Sequence, residues 1–243
     1  MTSSIKDLVA IVPAAGIGAR MGAEIPKQYL MLNHQAILAH TLDRLLEHPR
    51  ITQVILALSP EDTHFAKLTQ ATHPKLMTVV GGKERADSVL SALNVAPDSA
   101  WALVHDAARP CLSHADIDKL IAACETEAGK HQGAILAMPV RDTMKRSTAD
   151  GKIANTVCRE NLWHALTPQL FPVVSLRQNL AQALASGVAI TDEASAMEWA
   201  GGQPLLVSGR FDNIKVTHPD DLQLAALFLQ AAQADDPDST KGD

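Results

Sequence analysis

Short apolar runs alternate with stretches of helical periodicity through the first 139 residues of the chain. This rhythm constrains the fold more than any other feature. Residues 8–12 (LVAIV), 53–58 (QVILAL), 76–80 (LMTVV), 101–105 (WALVH) and 133–139 (GAILAMP) are too short for ordinary helices. They lack regular polar alternation, which is the pattern of strands buried on both faces. Between them, residues 35–47 place Ile37, Leu38, Leu42, Leu45 and Leu46 at helical spacing and stop before Pro49. Ser59-Pro60 has the form of a helix start, residues 84–95 carry Val89, Leu90 and Leu93 on one face, and Ser113 caps a helix reaching about Glu127. Alternation of this kind predicts an α/β fold: a doubly wound, mostly parallel, Rossmann-like sheet with helices on both faces.

The rhythm breaks at Val140. Residues 141–170 are polar, with β-like pieces around an Asp150-Gly151 turn. They are too many for an ordinary connection and too few for a domain, so a projecting β-arm is expected. An exposed arm needs something to pair with, and homodimer formation is the expectation here. Helical spacing returns over 173–185, ended by Gly187. Thr191-Asp192-Glu193 opens a short helix over 193–199 in capping style. Residues 205–207 and 213–216 read as short strands, and Thr217-His218-Pro219 starts a last helix. Residues 1–233 read as one domain and 234–243 (ADDPDSTKGD) as a disordered tail.

Net charge is -6, which argues against broad nucleic-acid binding, so any site for an anionic ligand must be local. The polar start MTSSIKD and the short run after it do not form a signal peptide, and no run is long enough to span a membrane. Cys111, Cys124 and Cys158 have no metal-type spacing, and an odd, unpatterned set suits a reducing cytoplasm. The histidines, including His105, His114 and His164, form no ligand pair at helical spacing. No G-x-S-x-G elbow supports a hydrolase.

The first strand runs into Ala14-Ala15-Gly16, Gly18, Arg20 and Lys27. Glycines after a strand let backbone N–H groups approach a phosphate closely. Two cations seven residues apart can then grip one polyphosphate. A P-loop is excluded, because Lys27 is followed by Gln28 and preceded by no glycine. A dinucleotide fingerprint fits poorly, because Met21 stands at its third glycine. In an open α/β sheet ligands bind beyond the carboxyl ends of the strands. Gly81-Gly82, with Ser88 following, and Asp106 in HDAARP lie at two such ends. Gly81-Gly82 also reads as a plain strand-to-helix turn. Asp106 suits a metal or a ribose, and equally a structural pair with Arg109. Asp212 is either a second metal-directed acid or a turn residue. Lys215 follows it in a short strand, where an inward lysine needs a partner. Arg141, Lys145, Arg146 and Arg159 line the arm; most are expected to be solvated, with one or two left to clamp a phosphate. Thr143 and Thr191 offer hydroxyls, and Thr191 also reads as a helix cap.

With these residues assembled, the chain resembles the 2-C-methyl-D-erythritol 4-phosphate cytidylyltransferases. The resemblance runs from about Val9 to Ala225. It rests on PAAGIGARMGAEIPKQYL, GGKERADSVL, LVHDAARPCL, PVRDTMKR, LWHALTPQ, ITDEASAMEW and DNIKVTHPDDL. It implies transfer of a cytidylyl group from CTP to the methylerythritol phosphate, with release of pyrophosphate, in non-mevalonate isoprenoid synthesis. By the family pattern, Arg20 and Lys27 stabilise the transition state. Arg159 and Lys215, with Thr143, Thr191 and Arg109, position the acceptor. Ala14, Ala15, Gly16, Gly18, Gly82, Ser88, Asp106 and Ala107 surround the nucleotide. Mg2+ is the implied cofactor, with Asp106 and Asp212 as its candidate ligands, and the arm is implied to complete a homodimer. The family commonly has an acid after the glycine pair, where this chain has Lys83. A cytidylyltransferase for another polyol phosphate such as ribitol 5-phosphate, a nucleotide-binding module without turnover, and a dinucleotide oxidoreductase are the rival readings.

Overall fold

A computed structural model of the chain describes residues 4–16 and 25–234. Gly18, Arg20 and residues 235–243 of the expected tail lie outside these. The chain begins with β1 (Leu8–Pro13), then a single turn over Lys27–Tyr29 and a small hairpin of β2 (Met31–Leu32) and β3 (Gln35–Ala36). Next come α1 (Ile37–Leu46), β4 (Ile51–Leu58), β5 (Leu76–Val80), α2 (Arg85–Leu93) and β6 (Trp101–Val104). They are followed by α3 (His114–Cys124), the short α4 (Gly129–Gln132) and β7 (Ala134–Pro139). The hairpin of β8 (Met144–Ser147) and β9 (Ile153–Val157) leads into β10 (Trp163–Pro172). The chain closes with α5 (Val173–Ala185), α6 (Glu193–Trp199), β11 (Leu205–Ser208) and α7 (Pro219–Ala234).

Seven strands form one sheet in the order β11-β7-β10-β6-β1-β4-β5. It is parallel except for β10, which runs antiparallel to both β6 and β7. The central strand shows why an unbroken apolar run was needed. Leu8, Ala10 and Val12 of β1 face a core shared with Leu38, Leu42 and Leu45 of α1 and Ile117 and Leu120 of α3. Val9 and Ile11 face the opposite core, shared with Val89 and Leu93 of α2 and Leu176 and Leu180 of α5. Each face is buried, so every position must be apolar. Truncating a side chain such as the fully buried Ile11 to alanine costs about 2–5 kcal/mol.

The winding sets the position of the site. From β1 the chain steps outward to β4 and β5, then α2 carries it back to β6 on the other side of β1. The strand order therefore reverses between β1 and β6, and the loops leaving these two strands diverge there.

Four local expectations change. Residues 163–172 are not the end of a projecting arm; they are β10, paired inside the sheet with β6 and β7. The projecting part is closed off where the Val140 amide donates to the Leu162 carbonyl at 2.9 Å. Ser59-Pro60 starts no helix. The Asp62 carboxylate accepts from the His64 and Phe65 amides and from the Tyr29 hydroxyl, which favours tight turns, so the segment holds only the single turns Phe65–Lys67 and Thr69–Thr72. Residues 213–216 are a loop rather than a strand: the Asn213 and Ile214 amides donate locally, to the Arg210 and Asp212 carbonyls, and the Val216 amide donates to the Ala108 carbonyl. At α6 the cap is Asp192, whose carboxylate accepts from the Ser195 amide at 3.0 Å, and not Thr191.

Candidate active site

Three loops meet at the switch point. The backbone beyond β1 is held by Gln28, whose buried amide donates to the Ala14 carbonyl at 2.8 Å and the Gly16 carbonyl at 3.2 Å. A Cβ added at Gly16 would meet no described atom within 4 Å, so packing does not demand glycine there. The glycine pair after β5 is different. A Cβ on Gly81 would stand 2.5 Å from the Ala15 Cβ, and one on Gly82 would stand 2.2 Å from the Asp87 Cβ. These glycines bring the β5 loop against the β1 loop and the start of α2. Ser88 secures the arrangement by accepting from the Gly82 amide at 3.1 Å.

Asp106 follows β6 and is the electrostatic centre. Its Oδ1 takes the Arg85 Nε at 2.9 Å, and its Oδ2 takes the Lys215 Nζ at 2.8 Å with the Arg109 Nε at 3.6 Å. Burial alone would raise the Asp106 carboxyl. The charges of Arg85, Lys215 and Arg109 outweigh burial and hold it well below the usual carboxylate range. Arg85 also grips Glu193, at 2.7 and 3.1 Å. A second network fixes the loop from beneath. The Asp106 amide donates to the Thr167 hydroxyl oxygen at 3.1 Å, and that hydroxyl lies 3.0 Å from His105 Nδ1. His105 Nε2 faces the Arg109 carbonyl at 3.0 Å, so Nε2 carries the proton and Nδ1 accepts from Thr167. Burial pushes the His105 imidazole down to about 4, which keeps it neutral in this role. Arg109 donates to the Asn213 carbonyl at 2.7 Å, and the Asn213 amide donates to the Thr167 carbonyl at 2.8 Å. These bonds hold the loop that delivers Lys215.

Two cavities open on this cluster. The first, of about 280 Å³, is lined by Ala14, Ala15 and Gly16 on one side and by Gly82 and Ser88 on another. Lys27, Asp106, Ala107 and Lys215 complete it. Lys27 is steadied by donation from Nζ to the Val216 carbonyl at 3.2 Å. The second, of about 220 Å³, is lined by Arg109, Thr191, Asp192 and the β10 residues Thr167 and Gln169. Arg85, Asp106 and Lys215 belong to both walls. Gln169 ties β10 to the start of α6, donating to Asp192 at 2.9 Å and accepting from the Ala194 amide at 2.9 Å.

Three expected residues stand apart. Thr143 and Arg159 are exposed on the arm and line neither cavity in their own chain; Arg159 donates to the Arg141 carbonyl. Asp212 is bound by Arg210 and lines a separate cavity with Arg44 and Cys111. It does not share a wall with Asp106, so the expected pair of metal-directed acids does not assemble. Among the described residues no group of three or more His, Cys, Asp or Glu side chains converges as a metal cage. Gln28, Arg85, Thr167, Gln169 and Glu193 were not expected at the site. Arg85 and Glu193 are 108 positions apart, a separation that gives no local spacing to detect. Among the described residues no helix is long and apolar enough to cross a membrane.

Comparison with known proteins places the chain in a family. Residues 8–231 match the family described as IspD, 2-C-methyl-D-erythritol 4-phosphate cytidylyltransferase. A protein of that description from Shewanella loihica is 84% identical over 243 residues, covering 100% of both chains. Its counterpart from Shewanella pealeana is 70% identical over 232 residues, 96% of this chain and 99% of that one. A solved structure of the Francisella tularensis protein, titled 2-C-methyl-D-erythritol 4-phosphate cytidylyltransferase (IspD), superposes with a TM-score of 0.79. It is 34% identical and covers 91% of this chain and 99% of its own.

Proposed function

Because the chain belongs to the IspD family of 2-C-methyl-D-erythritol 4-phosphate cytidylyltransferases, we propose that its two joined cavities hold the two substrates of that reaction. The chain is a nucleotidyltransferase: it moves a cytidylyl group from CTP to 2-C-methyl-D-erythritol 4-phosphate, giving 4-diphosphocytidyl-2-C-methyl-D-erythritol and pyrophosphate. CTP takes the cavity of Ala14, Ala15, Gly16, Gly82 and Ser88, with Asp106 and Ala107 beside the ribose. The acceptor phosphate takes the cavity of Arg109 and Thr191. The observation that carries this reading is the shared wall of Arg85, Asp106 and Lys215. It brings two anionic ligands edge to edge across a wall whose one carboxylate, Asp106, is neutralised by Arg85, Lys215 and Arg109.

An oxygen of the acceptor phosphate attacks the α-phosphorus of CTP in line, and the bond to the β-phosphate oxygen breaks. A phosphate monoester is already anionic, so no strong base is needed, and positioning and charge neutralisation carry the reaction. Lys27, together with Arg20 by the family pattern, stabilises the charge that builds on the leaving pyrophosphate. Lys215 orients the attacking phosphate, and Asp106 keeps Lys215 in place. Mg2+ suits this site through Asp106 alone. A carboxylate offers about four lone-pair positions, of which Arg85, Lys215 and Arg109 address three. Mg2+ characteristically takes one or two carboxylates and draws its remaining ligands from substrate phosphate and water. When bound it neutralises triphosphate charge.

Thr143 and Arg159 serve the acceptor site of a partner subunit, with the arm crossing between the chains of a homodimer. Their exposure in their own chain supports this reading. The free thiols of Cys111, Cys124 and Cys158 support a reducing cytoplasmic setting. Pyrophosphate release from CTP with methylerythritol phosphate, set against ribitol 5-phosphate, tests the assignment. Selective release with the first is expected. Equal or greater release with the second would overturn the choice of acceptor.

A further inference from the structure

Glu193 is a carboxylate only 1% exposed, set at the first position of α6. Sequence reasoning gave it no role. Its two oxygens take the two terminal nitrogens of Arg85, Oε1 from NH1 at 2.7 Å and Oε2 from NH2 at 3.1 Å. With its terminal nitrogens turned to Glu193, Arg85 meets Asp106 through Nε, 2.9 Å from Oδ1. Asp106 Oδ2 is consequently open to Lys215 Nζ at 2.8 Å. The four side chains form one row, Glu193, Arg85, Asp106 and Lys215; the last three line the wall that both cavities share, and Glu193 stands behind Arg85.

The row has a built-in competition. A guanidinium prefers to meet a carboxylate with two parallel N–H donors. If Glu193 released Arg85, that fork would be free to turn onto both oxygens of Asp106 and compete with Lys215 at Oδ2. The site charge also matters. Arg85, Arg109 and Lys215 face Asp106 within one small volume, and Glu193 supplies the second negative charge that keeps three cations together. The anchoring is independent of Arg85 at its far end. Gln169 and the Asp192 cap hold the start of α6 to β10, so Glu193 is presented by a fixed backbone.

We propose that Glu193 is a positioning residue for cytidylyl transfer, holding the Arg85 fork away from Asp106 so that Lys215 stays aimed at the incoming phosphate. The proposal rests on the reading of the two cavities given above. Its signature is a loss in turnover rather than in nucleotide binding, because Glu193 touches neither cavity's glycine side.

The test compares wild type, E193Q, R85K and the double variant in the full chain, by pyrophosphate release and by thermal unfolding. E193Q is expected to lower kcat about tenfold while KM for CTP changes less than about threefold, with the protein still fully folded at the assay temperature. Arg85→Lys removes the fork, so adding E193Q to it should lower kcat by less than about twofold further. Wild-type kcat in E193Q, or losses that multiply in the double variant, would each overturn the proposal. If E193Q shows no cooperative unfolding transition, Glu193→Asp carries the test, since it keeps the buried charge but draws the carboxylate back. A kcat loss of about fivefold or more in E193D supports the proposal, and wild-type kcat overturns it. An inactive wild-type chain would instead overturn the function itself and this proposal with it; an active wild type with an unaffected E193Q overturns only the role of Glu193.

Discussion

The Asp106 cluster and the β8–β9 arm carry the same kinds of cation in opposite surroundings. Around Asp106, three cations converge on one carboxylate that is 6% exposed, and bonds from Asn213 and Thr167 fix the loops beneath them. On the arm, Arg141, Lys145, Arg146 and Arg159 are exposed, and bonds such as Lys145 to the Thr156 hydroxyl at 2.7 Å stay within the arm. Exposed charge contributes about 0–1 kcal/mol per pair, because water and salt screen it. Buried charge is held in place by the penalty of leaving it unpaired. The comparison separates two uses of arginine and lysine. One set is placed before a ligand arrives, and the other needs a second surface to give it a position.

The sharpest break in that contrast is Asp106→Asn. It leaves Arg85, Arg109 and Lys215 clustered without their central charge, and stability should fall by about 3–5 kcal/mol. Chemical denaturation checks this; a change below about 1 kcal/mol would mean the cluster is solvated like the arm.

Acid should reveal the buried side next. The folded His105 sits at about 4 against an ordinary 6.5, because burial disfavours its charged form. A depressed folded value means the unfolded chain binds the proton first, so stability is full above about 6.5 and declines as pH falls toward 4. The loss should reach about 3 kcal/mol. Unfolding followed across that window tests it, with His105→Gln expected to flatten the curve. Asp106 is depressed too, but its contribution is lost only below the ordinary carboxylate range, outside this window.

Lys27→Ala should lower turnover about a hundredfold while leaving the unfolding midpoint within a few degrees, since its cost falls on the transition state. Pyrophosphate release measures this, and near-normal turnover would remove Lys27 from the mechanism.

The arm should show the smallest effect in a single chain and the most telling one in a mixture. Arg159→Ala should weaken turnover about tenfold with no change in stability. Mixing it with Lys27→Ala and exchanging subunits should recover about a quarter of wild-type activity, because a random half of the dimers then own one intact composite site in two. No recovery would confine the arm to its own chain.

Much of the fold was legible because it was local. Runs such as LVAIV and QVILAL announce doubly buried strands within a few residues, and the doubly wound sheet follows from their alternation with helices. β10 was not legible. Its sequence WHALTPQLFP carries His164, Thr167, Pro168 and Gln169, and its register against β7 shifts between Ala165 and Gln169. Thr167 and Gln169 serve the site, which is why they break the strand pattern. At the site, the glycine loops and Asp106 could be seen in short motifs. Of the partners of Asp106, Arg109 three positions on was legible as a pair, and the distant ones were not. Arg85 stands 21 positions from it, and the Arg109 to Asn213 bond spans 104. Topology alone makes such residues neighbours. Lys215 was expected to need a partner, and Asp106 is that partner. Asp212 misled because proximity in sequence to Lys215 does not carry it to the same wall.

The way the arm is rooted has one further consequence. Pro139 and Trp163 are already register partners, and the Val140–Leu162 bond fastens the stem just above them. Whatever lies between 140 and 162 hangs from a closed clasp. Residues can be gained or lost at the Asp150-Gly151 tip without shifting a single rung of the sheet below, which leaves the arm free to diverge in length while the catalytic floor stays fixed.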